Sequence, residues 1–211
     1  MKIVLAKNIG FCFGVRRALD LVTRNLGKTK GPFYTLGPII HNPQVMKKLE
    51  EKKLHCVKSI EKIKRGMVLI RTHGIAKEIL EKLKTKKVKV IDATCPYVKR
   101  IQNLVKHLTE KNYTIFIFGK AEHPEVEALI SYTQGKGKVV QNIPDLTSLK
   151  DVQLNKKIGL VCQTTQSYEA FQKIISFFKS LQNREVKIFN TLCPTTKRRQ
   201  MEAIDLSKKV D

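Results

Sequence analysis

KVKVIDATCPYVKRIQNLV, residues 87–105, runs from a β-branched stretch into an amphipathic one through a turn that carries a cysteine and a proline. VKVIDAT reads as a short buried strand. Pro96 takes the favoured first position of a helix, so Cys95 is its expected N-cap. Two other stretches share the plan: KIVLAKNIGFCFGVRRALDLV, residues 2–22, and VKIFNTLCPTTKRRQMEAI, residues 186–204. Each is a strand-like run, a turn, a cysteine and a helix-like run with basic residues in its first turns. Cys12, Cys95 and Cys193 stand 83 and 98 residues apart. Self-similarity over such distances marks a repeated supersecondary unit.

A second correspondence lies further along each unit. GPIIHNPQVMKKL places His41 29 residues after Cys12, and GKAEHPEVEALI places His123 28 residues after Cys95. A third pairs RTHGIAKEI with CQTTQSYEAF, setting His73 and its neighbours against Thr164 and Thr165. MVLIRT, YTIFIFG and KIGLVCQ read as further buried strands, and helix-like segments separate them. Such alternation predicts α/β units around mainly parallel sheets, in a pseudo-threefold arrangement. The units are expected at 1–94, 95–192 and 193–211. The third would be only begun, with residues 1–11 supplying one of its strands. Gly135–Gly137 and Asn142–Asp145 read as surface loops.

The 211 residues are enough for a real hydrophobic core, and 42% hydrophobic content is ordinary for a globular chain. No apolar run reaches the length of a membrane span, and the N-terminus is not a secretory signal, so a cytoplasmic location is expected. The formal net charge is +23, and only nine of the 41 basic residues are arginine. The lysines are spread over predicted helices and loops without a nucleic-acid-binding motif, so nucleic acid is not the expected partner. A cytosolic chain with five cysteines and no CxxC is not expected to carry structural disulfides.

Helix N-termini lower thiol pKa values, so three such cysteines aimed at one centre would give three thiolates. Three thiolates from distant segments suit a soft metal centre: an iron–sulfur cluster with one iron lacking a protein ligand. Zinc is the competing metal, but its sites usually contain a close cysteine pair, and none occurs here. Cys56 and Cys162 read as core filler. His41, His73 and His123 sit in turns before helices, where ligand-facing residues of parallel α/β proteins lie and where imidazoles can donate to phosphate. Glu125, two residues after His123, can deliver protons near a metal centre.

GFCFGVRRA, GPIIHNPQV, THGIAKE, DATCPYV, EHPEVEA, CQTTQS and TLCPTTKRRQ, in this order along the chain, closely resemble the LytB-type 4-hydroxy-3-methylbut-2-enyl diphosphate reductases. The resemblance implies a pseudo-threefold trefoil of three-layer α/β units around a central [4Fe–4S] cluster held by Cys12, Cys95 and Cys193. It assigns His41, His73 and His123 to substrate binding, Glu125 to proton relay, and Thr164 to orienting substrate and protons. The implied reaction is reductive dehydroxylation of the diphosphate substrate to isopentenyl and dimethylallyl diphosphate, in non-mevalonate isoprenoid biosynthesis. The electrons would come from an acidic donor, ferredoxin or flavodoxin, steered by the basic surface. The family continues beyond this sequence with a Gly/Ser-rich turn carrying a Ser-x-Asn diphosphate clamp. A C-terminally truncated chain with little turnover is therefore expected. Two other function classes stay open on the residues alone: a non-catalytic basic binding module that keeps the fold, and a zinc-stabilised structural protein.

Overall fold

A computed structural model describes residues 3–29, 31–147 and 156–210. Among them are two four-stranded sheets of identical topology. The first contains β1 (Phe33–Leu36), β2 (Leu54–Val57), β3 (Gly66–Ile70) and β4 (Val88–Asp92), in the order β2-β1-β3-β4. The second contains β5 (Thr114–Phe118), β6 (Gly137–Val140), β7 (Lys157–Cys162) and β8 (Glu185–Ile188), in the order β6-β5-β7-β8. Every pairing is parallel. Parallel neighbours need crossover helices, and apart from the short one at Ile143–Thr147 these are where the periodicity put them. They are α1 (Phe13–Leu26), α2 (Pro43–Glu51), α3 (Lys77–Thr85), α4 (Pro96–Glu110), α5 (Pro124–Ser131), the short α6 (Ile143–Thr147), α7 (Tyr168–Lys179) and α8 (Pro194–Ser207).

Each sheet is covered on both faces, which gives the expected three layers. Alternate residues of β5 show how: Ile115 and Ile117 pack with Ile101, Val105 and Leu129 of α4 and α5. Phe116 and Phe118 point the other way, onto Phe171 and Phe178 of α7. In the first unit, Ala18 and Val22 of α1 share a core with Met46, Leu49 and Leu69. Leu83 of α3 closes the opposite face with Val68 and Ile70. Burying each such large side chain is worth about 1.5–3 kcal/mol.

Four details depart from the sequence reading. The strands β1 and β6 are short and carry polar residues, so no strand pattern stood out, and β6 takes in Gly137 from the expected loop. Ile143–Thr147 of the second expected loop forms α6. Cys56 is exposed on the edge strand β2 rather than buried, because β2 pairs on one side only, whereas Cys162 is a core residue as expected. KIVLA, expected as a buried strand, is irregular over residues 3–6, with Ile3 and Leu5 73% and 74% exposed. A strand needs a ladder neighbour, and no described strand pairs with it. Its continuation meets α8 instead: Glu202 accepts from Lys7 N, from Asn8 N at 3.0 Å and from Asn8 Nδ2 at 2.7 Å.

Candidate functional site

Ligand sites of parallel α/β proteins form beyond the carboxyl ends of the strands, and every candidate residue here except Cys12 follows such an end. β1 leads to His41, β3 to Thr72 and His73, β4 to Cys95, β5 to His123 and Glu125, β7 to Thr164, and the segment after β8 to Cys193. The repeat is written into the backbone bonds. Cys95 N donates to Thr72 O and Cys193 N donates to Thr164 O, both at 2.9 Å. The pairing of RTHG with CQTT is thus a real equivalence: each threonine carbonyl holds the amide of the next cysteine.

Cys12, Cys95 and Cys193 are the N-caps of α1, α4 and α8, and none of the three thiols is used in a capping bond. They line one cavity of about 220 Å³ together with His73, Glu125 and Thr164. Gly14 allows the approach. A Cβ there would stand 2.6 Å from Cys95 Sγ, so any side chain would push α1 away from the cysteine of α4. Arg17 ties the same helix to the turn, donating to Thr94 O at 3.3 Å and Asp92 O at 3.2 Å.

The expectation of an acidified thiol is not met at Cys95. Burial, the largest influence, pushes its pKa up, and the neighbouring Cys193 and Cys12 push the same way. The amides of Tyr97 and Val98 act in the predicted direction but do not prevail. The Cys95 thiol, buried beside two other sulfurs, resists ionisation; a cation among them would remove that resistance. The donor set, three soft thiols outside any disulfide, fits a sulfur-ligated iron centre.

His41, His73 and His123 come together at the cavity's side. Their ring centroids are 4.5 Å (His41–His73), 5.6 Å (His41–His123) and 5.2 Å (His73–His123) apart. One nitrogen from each lies within 4.8 Å of the others, a spacing that a metal ion could also use. The local charge favours an anion. His73 is held down to a pKa of about 3, first by burial, then by His41, His123 and Arg71. Burial, His41, Arg71 and Lys120 likewise lower His123. A cation would meet the same two positive side chains, whereas a phosphate would be attracted. His123 Nδ1 caps α5 by accepting from Glu125 N at 3.1 Å, which leaves Nε2 as the donor of the neutral ring.

Glu125 is 1% exposed. Its Oε1 accepts from Thr164 N and its Oε2 from Thr164 Oγ1, both at 2.7 Å. Burial raises its pKa against the lowering effect of these two bonds. Thr164 is therefore not a helix cap; Ser167 caps α7, accepting from Ala170 N. Sequence reasoning missed Arg71, Thr72 and Arg199. Arg71 and Thr72 immediately precede His73, and Arg199 lies in the helix behind Cys193, so proximity to chosen residues was the only available signal.

Comparisons with known proteins agree with this geometry. The family model described as LytB protein matches residues 3–211. A 4-hydroxy-3-methylbut-2-enyl diphosphate reductase of Pelobacter propionicus is 42% identical over 212 residues, covering 100% of this chain and 74% of the relative. A reductase of the same name from Geobacter metallireducens is also 42% identical and is covered to 73%. A solved structure of (E)-4-hydroxy-3-methyl-but-2-enyl diphosphate reductase, the terminal enzyme of the non-mevalonate pathway, superposes with a TM-score of 0.82 at 39% identity, over 99% of this chain and 74% of that one. The E-1-hydroxy-2-methyl-but-2-enyl-4-diphosphate reductase of Plasmodium falciparum gives 0.87 at 29% identity, over 95% and 63%. Motif order, repeated topology and these likenesses agree: the chain belongs to the LytB protein family.

Proposed function

We propose that the chain carries the cysteine, histidine and acid machinery of the reaction in its relatives' names, the reduction of 4-hydroxy-3-methylbut-2-enyl diphosphate, with Cys12, Cys95 and Cys193 as ligands of a [4Fe–4S] cluster, and that its own turnover is low. The observation that carries the reading is the convergence of these three thiols with His73, Glu125 and Thr164 on one cavity. Two electrons and two protons enter, the allylic C–O bond breaks, the oxygen leaves as water and a C–H bond forms. Cys12, Cys95 and Cys193 would hold the cluster, which when bound would supply the electrons.

The side chains divide the remaining work. His41, His73 and His123 bind the diphosphate. Because His73 stays neutral, it acts as an N–H donor, and Arg71 nearby contributes the positive charge. Glu125 holds a proton further up the pH scale than an ordinary carboxyl, as a proton donor to carbon or to the leaving hydroxyl requires. Thr164 Oγ1, bonded to that carboxyl and lining the cavity, links the proton to the substrate. Residues 1–94 and 95–192 form two of the three units. The bonds between residues 7–10 and α8 support assigning both segments to a third. A ferredoxin or flavodoxin donor suits the net charge of +23.

Anaerobic reconstitution with iron and sulfide, followed by electron paramagnetic resonance of the reduced protein, tests the ligand set. The expected result is a cluster signal in the wild-type chain and its loss in Cys95→Ser. Zinc in place of iron, or equal iron uptake by the variant, overturns the assignment. Glu125→Gln should keep the cluster and lower kcat by about 10²–10⁴-fold.

A further inference from the structure

The helix that delivers Cys193 has almost nothing apolar holding it. α8 has no buried residue, and Met201 and Ile204 are 55% and 51% exposed. Its place against the rest of the chain rests on polar contacts made along the stretch from Cys193 to Glu202. Near Cys193, the backbone bond to Thr164 fixes the start, and Lys197 Nζ lies 4.4 Å from the Tyr168 ring centroid. Beyond that, Arg199 donates through a terminal guanidinium nitrogen to Gly10 O, and Glu202 takes the donors of Lys7 and Asn8. Gly10 has φ +78°, in the left-handed region open to glycine, and stands two residues before Cys12. Arg199 therefore bridges the helix of one cysteine to the turn of another.

The same side chain has a spare donor. Arg199 Nε is buried with no hydrogen-bond partner among the described residues, while Arg199 lines the cavity of the three cysteines. Leaving a buried N–H unpaired is costly, so such a group calls for a partner. In a cavity whose other charged ligands would be thiolates, the partner that suits a guanidinium is anionic and sulfur-bearing.

We propose that Arg199 is a positioning residue of the three-cysteine site. Its terminal nitrogen latches α8 to the Gly10 turn and so sets Cys193 against Cys12, and its Nε–H donates to the sulfur-bearing anionic group that the thiolates hold. The second part rests on the cluster reading above; the first does not. A cationic donor beside such a centre favours its reduced, more negative state, and so raises its reduction potential.

The test uses the full chain, reconstituted with iron and sulfide, as wild type, Arg199→Gln, Arg199→Lys and Glu202→Gln. Arg199→Gln should lose iron several-fold faster and titrate at a more negative midpoint potential. Arg199→Lys, which keeps the charge but not the fork, should recover most of the potential and little of the iron retention. Glu202→Gln should loosen iron without moving the potential. In the metal-free chain, amide hydrogen exchange at Lys7 and Asn8 should quicken in Arg199→Gln. An unchanged potential in Arg199→Gln overturns the donor role, and unchanged exchange together with unchanged iron loss overturns the latch. If the wild-type chain takes up no iron and sulfide, the cluster reading and the donor role fall together, and the exchange experiment still decides the latch.

Discussion

His73 is surrounded by groups that resist its protonation. Burial leads, followed by His41, His123 and Arg71, and the ring's pKa falls from 6.5 to about 3. Between those values the unfolded chain binds a proton that the folded chain refuses. This contribution to stability is therefore complete above about pH 6.5 and is lost as pH falls toward 3. Glu125 acts in the opposite sense: its raised pKa means that the folded chain keeps a proton that the unfolded chain releases, so its contribution declines as pH rises out of the ordinary carboxyl range. Thermal melts between pH 8 and pH 4 should show Tm falling on acidification, with a shallower slope in His73→Gln. Equal slopes would mean that the folded ring is solvated. At this scale the sequence made His73 a candidate through its turn context, but its depressed pKa comes first from burial and then from His41 and His123, both distant in the chain, with Arg71 two residues before it adding to the effect. Cys56 shows the converse: its surroundings in sequence suggested burial, and one-sided pairing of its strand left it exposed.

Gly14 couples two elements. It is buried in the first turn of α1 and faces Cys95 at the start of α4. Gly14→Ala should cost about 1–3 kcal/mol through overpacking and should reduce iron bound per chain, measured by melting and by iron analysis after reconstitution. A variant that binds iron as the wild type does would show that α1 and α4 can separate without disturbing the thiols. Gly14 was visible only as part of GFCFGV; nothing local reveals which helix it will touch. Apart from the five-residue α6, which lies in a stretch that reads as a loop, the helices were legible, because most carry an apolar stripe at helical spacing and several have proline at the first position. The strands β1 and β6 were not. Each is only four residues long, and its conformation is imposed by the neighbour it pairs with rather than by its own pattern.

For the whole molecule, charge is the property with the longest reach. At +23 the chain attracts acidic proteins over distances that salt controls, since the screening length shrinks from ~30 Å at 0.01 M to ~8 Å at 0.15 M. The rate of reduction by an acidic protein donor should fall about tenfold or more across that range, while a small-molecule reductant changes little. A salt-independent rate would rule out electrostatic steering. Among the described residues no helix is long and apolar enough to cross a membrane. The sequence by itself determined the repeated α/β plan, the three cysteines at one point of that plan, and the histidine and glutamate turns, because periodicity, proline position and motif order are local properties of the chain. Only the tertiary structure decided that three thiols share one cavity, that Thr164 holds both oxygens of Glu125, and that Arg199 reaches Gly10. These are contacts between residues 39 to 189 positions apart, set by how two sheets and α8 pack and not by any segment alone.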